Sequence, residues 1–214
     1  MRVIAFVSLV AVMLVGCSGM PSLPYEEPAQ SENSARIRVI TNSNVYGDSI
    51  VGSCTPATRH RMAQAGRFLS SGAMNTNYPQ YPLKSANLGM PKRVAPALDQ
   101  YAPSIRIGEG VYKEVVTEYR VRTDELLQIA TWGASINGRG SMSAACVSQI
   151  QTFKLEPGKD YEALIGVGRR TAEDGSEAFM CIFGVVELVT MPGTPMVIPE
   201  KIMPVASPQI ACKS

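Results

Sequence analysis

Short runs of alternating apolar and polar residues, separated by turn residues, recur along most of this chain. In ARIRVITN, residues 35–42, Ile37, Val39 and Thr41 fall on one face. The run at 161–167 alternates in the same way. A period of two is typical of a strand with one buried face. Several such strands with little helix predict a mostly β protein, and we expect an antiparallel β-sandwich of the immunoglobulin or transthyretin type.

Other segments fill out this prediction. Strands are expected at 44–52, 111–122, 126–135, 146–168 and 178–189, the second to last interrupted by a turn at 156–159. In that turn Pro157 presets φ and Gly158 accepts a positive φ. The run at 178–189 is the most apolar one of the domain and predicts a central strand. Near-helical spacing of Met62, Ala65, Phe68 and Leu69 predicts one short helix within 55–71.

Two segments are rich in proline and lack a strand or helix pattern. Residues 72–104 form a long irregular loop, and loops of that length tend to be functional or disordered. Residues 191–214 form a tail that can be neither a helix nor a central strand. The β-sandwich domain is therefore expected to span 36–190.

The chain contains five cysteines, and the four that follow Cys17 can form two disulfides. Four cysteines allow three pairings. We predict Cys146–Cys181, because both residues lie in strand-like runs that can face one core. The second pair, Cys54–Cys212, would then secure the C-terminal tail.

The apolar run at the N-terminus ends abruptly on a cysteine. A short positive head at Met1 and Arg2 is followed by residues that are apolar up to Leu14 except for Ser8, too few for a permanent membrane span. This layout is typical of a secretory signal peptide. The final four residues, Leu14-Val15-Gly16-Cys17, resemble the lipobox of bacterial membrane lipoproteins.

The resemblance implies that residues 1–16 are removed and that Cys17 carries acyl chains such as palmitate. Two or three acyl chains make a durable anchor. Residues 17–35 would be the lipidated N-terminus and a flexible tether. Ser18 in place of Asp favours the outer membrane, and we expect the domain on the periplasmic face rather than at the cell surface. The alternative is an ordinary secretory signal followed by a chance cysteine.

The sequence shows no motif for catalysis, for a metal or for a cofactor. No pair of cysteines has Cys-x-x-Cys spacing, and His60 is the single histidine. Gly-x-Ser-x-Gly is absent as well. The net charge of +2 does not suggest nucleic-acid binding. We therefore expect His60 to be a surface residue and the protein not to be an enzyme.

Four residues are candidates for partner binding. Tyr78 and Tyr81 could insert into a partner or stack on a sugar, or they could cover the edge of the sandwich. Arg59 and Arg61 could contribute to a basic surface, or they could be ordinary solvated charges. We expect a non-enzymatic structural, assembly or binding module with an envelope protein as partner. The alternative is an inhibitor or protective protein that presents residues 72–104 to a secreted or envelope enzyme.

Overall fold

Strands provide all the regular secondary structure in the part of the chain that the computed structural model describes. The described residues are 22–52, 54–69, 71–92, 106–107, 110–132, 134–137, 143–171, 177–194, 196–208 and 210–212. The strands are Ser22–Pro24 (β1), Ser34–Thr41 (β2), Asn44–Ile50 (β3), Cys54–Thr55 (β4), Arg59–Gln64 (β5), Arg67–Phe68 (β6), Arg106–Ile107 (β7), Gly110–Tyr112 (β8), Val115–Arg122 (β9), Leu126–Thr131 (β10), Ala134–Asn137 (β11), Ser143–Cys146 (β12), Gln149–Phe153 (β13), Asp160–Thr171 (β14), Glu177–Thr190 (β15), Val197–Lys201 (β16) and Ile210–Ala211 (β17).

Two five-stranded sheets form the sandwich. The first has the order β1-β5-β3-β10-β13 and the second the order β16-β15-β14-β2-β9. The predicted β-sandwich is confirmed, but its sheets are mixed rather than antiparallel. β1 runs parallel to β5, and β14 runs parallel to β2. Alternation of side chains reveals which face of a strand is buried, but it carries no information on the direction of the neighbouring strand.

The core lies between the two sheets. Ile37 and Val39 of β2 are completely buried, as the alternation predicted. The second sheet also contributes Val121, Tyr161, Ala163, Ile165 and Val185, and the first contributes Val45, Met62, Ala63, Leu127, Ile129 and Phe153. Each such aliphatic or aromatic side chain stabilises the fold by roughly 1.5–3 kcal/mol relative to exposure.

The predicted helix within 55–71 is wrong: the described residues of this segment form β4, β5 and β6 instead. The cause is a β-bulge opposite Val45 and Tyr46. Val45 pairs with Ala63, but Tyr46 pairs with Arg61, so Met62 is the extra residue. Met62 and Ala63 are both buried. Two adjacent buried residues in a strand break the period of two, so this segment lacks the alternation that identifies a strand.

The remaining strand predictions hold with changed boundaries. The run at 111–122 divides into β8 and β9, and the run at 126–135 divides into β10 and β11. Gly158 has a φ of 74°, as the predicted turn requires. β15 is an inner strand between β14 and β16, although only two of its described side chains, Val185 and Leu188, are buried. Residues 172–176, between β14 and β15, lie outside the described residues.

Residues 86–90 of the 72–104 loop pack on the second sheet, over buried ions. Arg38 donates to Glu118 at 2.8 and 3.0 Å and to Glu162 at 3.3 Å. These three side chains are buried on the face of the sheet opposite the core. Leu88 N donates to the Glu118 carboxylate at 2.5 Å, and the Arg38 guanidinium donates to Met90 O at 3.0 Å. The ions thereby fix the loop.

The C-terminal tail packs on the first sheet. Val205 N donates to Thr152 O at 2.8 Å, and β17 pairs with β4. The Cys54–Cys212 disulfide holds this end of the tail, and Cys146–Cys181 is the second disulfide, so both bridges have the predicted pairing. The tail also contains β16, an edge strand with Pro199 in its middle, and an edge is where a strand tolerates proline.

Candidate functional site

A row of arginine, aromatic and apolar side chains crosses the outer face of the first sheet. The register places Arg61 of β5 opposite Tyr46 of β3, Tyr46 opposite Ala130 of β10, and Ala130 opposite Ile150 of β13. Val45, the neighbour of Tyr46, is buried in the core between the sheets. Because successive side chains of a strand point to opposite faces, Tyr46 and its partners lie on the face away from the core.

Trp132 extends this row at the end of β10. Its ring lies 6.1 Å from the ring of Tyr46, and the two planes are inclined by 80°. Edge-to-face aromatic pairs of this kind contribute about 0.5–1.5 kcal/mol beyond the area that they bury. Trp132 is 40% exposed and Ile150 is 48% exposed, so both present apolar surface to solvent. Burial raises the pKa of the Tyr46 hydroxyl, which is therefore neutral at physiological pH.

Tyr81 joins the row through Arg61. The Arg61 guanidinium carbon lies 4.6 Å from the centroid of the Tyr81 ring. The backbone of Tyr81 exchanges two hydrogen bonds with Gln64, of 2.8 and 2.9 Å. β1 pairs with β5 only as far as Arg61, and Tyr81 occupies the open edge of β5 beyond that point. We call Tyr46, Arg61, Tyr81, Trp132 and Ile150 together the aromatic–arginine surface.

Tyr78 makes a similar contact next to this surface. The Arg67 guanidinium carbon lies 4.2 Å from the centroid of the Tyr78 ring, and Arg67 N donates to Tyr78 O at 3.0 Å. Asn75 N donates to Arg67 O at 2.8 Å, so the chain folds back on itself between these two residues. Tyr78 is about half exposed. The sequence selected both tyrosines, and the structure places each of them on an arginine of β5 or β6.

Arg59 does not contribute to this surface. It is buried, and its guanidinium donates to Asp48 at 3.1 Å and to Gln128 at 2.5 Å. Arg59 is therefore neither part of a basic surface nor a solvated charge, the two alternatives expected from the sequence. Asp48, Gln128 and Thr152 are opposite one another in the register of β3, β10 and β13, one row beyond the aromatic–arginine surface.

The C-terminal tail covers this polar row. Gln128 Nε2 donates to Thr152 Oγ1 at 3.4 Å, and the hydroxyls of Thr152 and Ser207 lie 2.8 Å apart. Thr55 Oγ1 donates to Pro208 O at 3.3 Å. Buried polar groups destabilise a fold unless they have hydrogen-bond partners. The tail supplies one of these partners, the Ser207 hydroxyl beside Thr152, and lies over this end of the polar row.

His60 lies at the border of the polar row and is partly exposed. Its Nδ1 lies 2.9 Å from Asp48 Oδ1, and its backbone N donates to the same oxygen at 3.0 Å. A buried carboxylate at this position orients the imidazole ring, as in a catalytic dyad. Within the described part of the chain, no hydroxyl or thiol forms a hydrogen bond with the other ring nitrogen. The described residues therefore supply a carboxylate that orients His60, and no hydroxyl or thiol among them is hydrogen-bonded to its ring.

Three residues of the aromatic–arginine surface were not singled out from the sequence. Tyr46 and Ile150 are ordinary strand residues, and only the register shows that they lie in one row with Arg61. Trp132 is the single tryptophan of the chain and lies within the strand predicted at 126–135, which was a usable signal. Cys17, the predicted lipidation site, lies outside the described residues.

Comparison with protein-family models, curated proteins and solved structures found no match for this chain. Among the residues that the structure describes, no helix is long and apolar enough to cross a membrane. In the same residues, no group of three or more His, Cys, Asp and Glu side chains could hold a metal ion.

Proposed function

We propose that this protein is a lipid-anchored, non-enzymatic binding module of the bacterial envelope. In this proposal, acylated Cys17 attaches it to the outer membrane on the periplasmic side, and the aromatic–arginine surface binds an envelope protein. The observation that carries the binding role is the composition of this surface. Tryptophan, tyrosine and arginine dominate the binding energy of protein interfaces. Here they occur side by side with the exposed Ile150.

The fixed positions of the side chains in the aromatic–arginine surface also support binding. Tyr81 is held by backbone hydrogen bonds to Gln64, and Arg61 by a 3.0 Å hydrogen bond to Gln64 Oε1. Trp132 is supported by Tyr46. Side chains that are already fixed lose little conformational entropy when a partner binds. A preorganised surface of this kind suits a partner with a complementary apolar patch.

A photocrosslinking experiment tests the binding role. A photoreactive phenylalanine analogue replaces Ile150 in the full-length protein, in the bacterium that produces it. We expect one discrete adduct, and we expect Trp132→Ala in the same chain to abolish it. The matched control carries the analogue at Glu200, which is exposed on β16 of the other sheet. Equal adducts at both positions, or none at Ile150, would contradict the proposal.

The non-enzymatic part of the proposal predicts that His60 is dispensable. His60→Ala removes the one imidazole of the chain but leaves the aromatic–arginine surface intact. We expect this variant to keep both the Ile150 adduct and the phenotype of the wild-type strain. A folded, anchored His60→Ala protein that loses the phenotype would argue for catalysis.

The second candidate function is inhibition by the 72–104 loop. Two exposed side chains on its described part, Tyr78 and Leu83, favour it, because an inhibitor must present ordered apolar groups to a cleft. Tyr78→Ala and Leu83→Ala would then abolish partner capture, whereas Trp132→Ala would not. The opposite pattern supports the aromatic–arginine surface.

A further inference from the structure

The N-terminal segment beyond residue 21 belongs to the folded domain. Ser22, Leu23 and Pro24 pair with β5. Tyr25 N donates to Arg61 O at 3.0 Å, and the Tyr25 hydroxyl donates to Arg120 O at 3.2 Å on the second sheet. The segment predicted as a tether therefore connects the edges of both sheets.

This attachment leaves a short distance between the proposed lipid and the domain. Only the residues from Cys17 to Ser22 separate them, and five residues span at most about 18 Å when fully extended. A free tether from Cys17 to the end of the segment at residue 35 would reach roughly 60 Å. The start of β1 must consequently remain close to the bilayer if Cys17 carries the lipid.

Three exposed apolar side chains lie at this end of the first sheet. Leu23 is 55% exposed beside the start of β1, which pairs with the start of β5. The connection from β3 to β5 carries Val51, which is 71% exposed. Ile210, also 71% exposed, pairs with Cys54 in that connection. Connectivity thus brings all three residues to the end where the chain leaves for Cys17.

The charges of the turn between β9 and β10 are balanced by ion pairs. The turn between β9 and β10 lies here because Leu126 pairs with Ile50. Arg122 contacts Asp124 at 2.6 Å and Glu125 at 3.2 Å. No excess of positive charge recruits anionic lipid through this turn. The apolar side chains and the short connection are what favour a lipid surface.

We propose that Leu23, Val51 and Ile210 form a membrane-facing end that rests on the bilayer surface. Trp132 lies at the opposite end of β10, about 20 Å away at the rise of an extended strand. The aromatic–arginine surface would then extend away from the membrane, toward partners in the periplasm. This inference rests on the lipid anchor of the proposed function.

Quenching of tryptophan fluorescence tests this orientation, because Trp132 is the single tryptophan. The lipidated full-length protein is reconstituted in zwitterionic phosphatidylcholine vesicles with spin-labelled headgroups. Wild type reports on Trp132, and the variant Val51→Trp with Trp132→Phe reports on the membrane-facing end. Ile210→Trp with Trp132→Phe is a second reporter in case the first does not fold. We expect quenching several-fold stronger at positions 51 and 210 than at position 132.

A longer connection supplies the matched control. A Gly/Ser insert of about 20 residues after Pro21, with an r.m.s. length of about 25 Å, should reduce quenching at position 51. Equal quenching at positions 51 and 132, or none at position 51 in protein that floats with the vesicles, would overturn the membrane-facing end alone. Protein that carries no lipid and does not float would overturn the anchor as well.

Discussion

Removal of the Glu118 charge is expected to destabilise the protein strongly. Glu118 accepts two hydrogen bonds from Arg38 and two from the backbone of the 72–104 loop, at Leu88 N and Met90 N. Glu118→Gln keeps one acceptor oxygen and turns the other into a donor group that faces donors. Either Arg38 or the loop amides then face an NH2 group, and Glu162 at 3.3 Å is the one carboxylate left to Arg38 among the described residues.

The magnitude follows from the burial of this pair. Removing one partner of a buried ion pair costs about 3–5 kcal/mol. For a domain of this size, 1 kcal/mol corresponds to about 2–4 °C in Tm, so a decrease of about 6–20 °C is expected. Thermal and urea unfolding, followed by Trp132 fluorescence, measure the change. Glu200→Gln on the exposed edge strand is the matched control and should leave Tm nearly unchanged. If Glu118→Gln resembles that control, the account of the buried network is refuted.

The same variant should change the response to acid. Burial opposes the ionisation of Glu118, but the hydrogen bonds from Arg38, Leu88 and Met90 outweigh it, so the pKa of this carboxyl lies below its ordinary value near 4.5. A carboxyl with a lowered folded-state pKa stabilises the protein above its unfolded-state pKa, and this stabilisation is lost as pH falls through the folded-state value. Wild type should therefore lose more stability than Glu118→Gln between about pH 7 and pH 3.

Two further changes test the packing. Joint replacement of Cys54 and Cys212 by serine removes a disulfide with a sequence separation of 158. In the chain-entropy model this lowers the free energy of unfolding by up to about 5 kcal/mol. An unchanged midpoint of urea unfolding would contradict the role of the tail. Gly47→Ala would place a Cβ against the buried Met62 Sδ and should lower the free energy of unfolding by about 1–3 kcal/mol. Gly184→Ala, with nothing within 4 Å of its Cβ, is the control, and thermal unfolding measures both variants.

The sequence predicted the strands well because their alternation is a local property. Ile37 and Val39, for example, are buried as the period of two requires. The prediction of a helix within 55–71 failed at the β-bulge of Met62, because the pattern of buried residues there depends on the register with β3. The parallel pairing of β2 with β14 joins segments more than a hundred residues apart, and no local pattern encodes it.

The candidate site was only partly accessible from the sequence. Arg61 and Tyr81 were selected for their residue types, and the structure brings them together. Arg59 was indistinguishable from Arg61 in the sequence, because burial by Asp48, Gln128 and the distant tail is a tertiary property. Tyr46 and Ile150 acquire a common surface only when β3, β10 and β13 pair.

The N-terminus of the mature protein tests the proposed lipid anchor. Mass spectrometry of the N-terminal peptide, from protein purified out of the outer membrane of labelled-palmitate cultures, measures where the chain begins and what it carries. We expect that the chain begins at Cys17, that this residue carries the acyl label, and that Cys17→Ser abolishes incorporation. A mature chain that begins elsewhere, or a Cys17→Ser variant that still incorporates palmitate, would contradict the account.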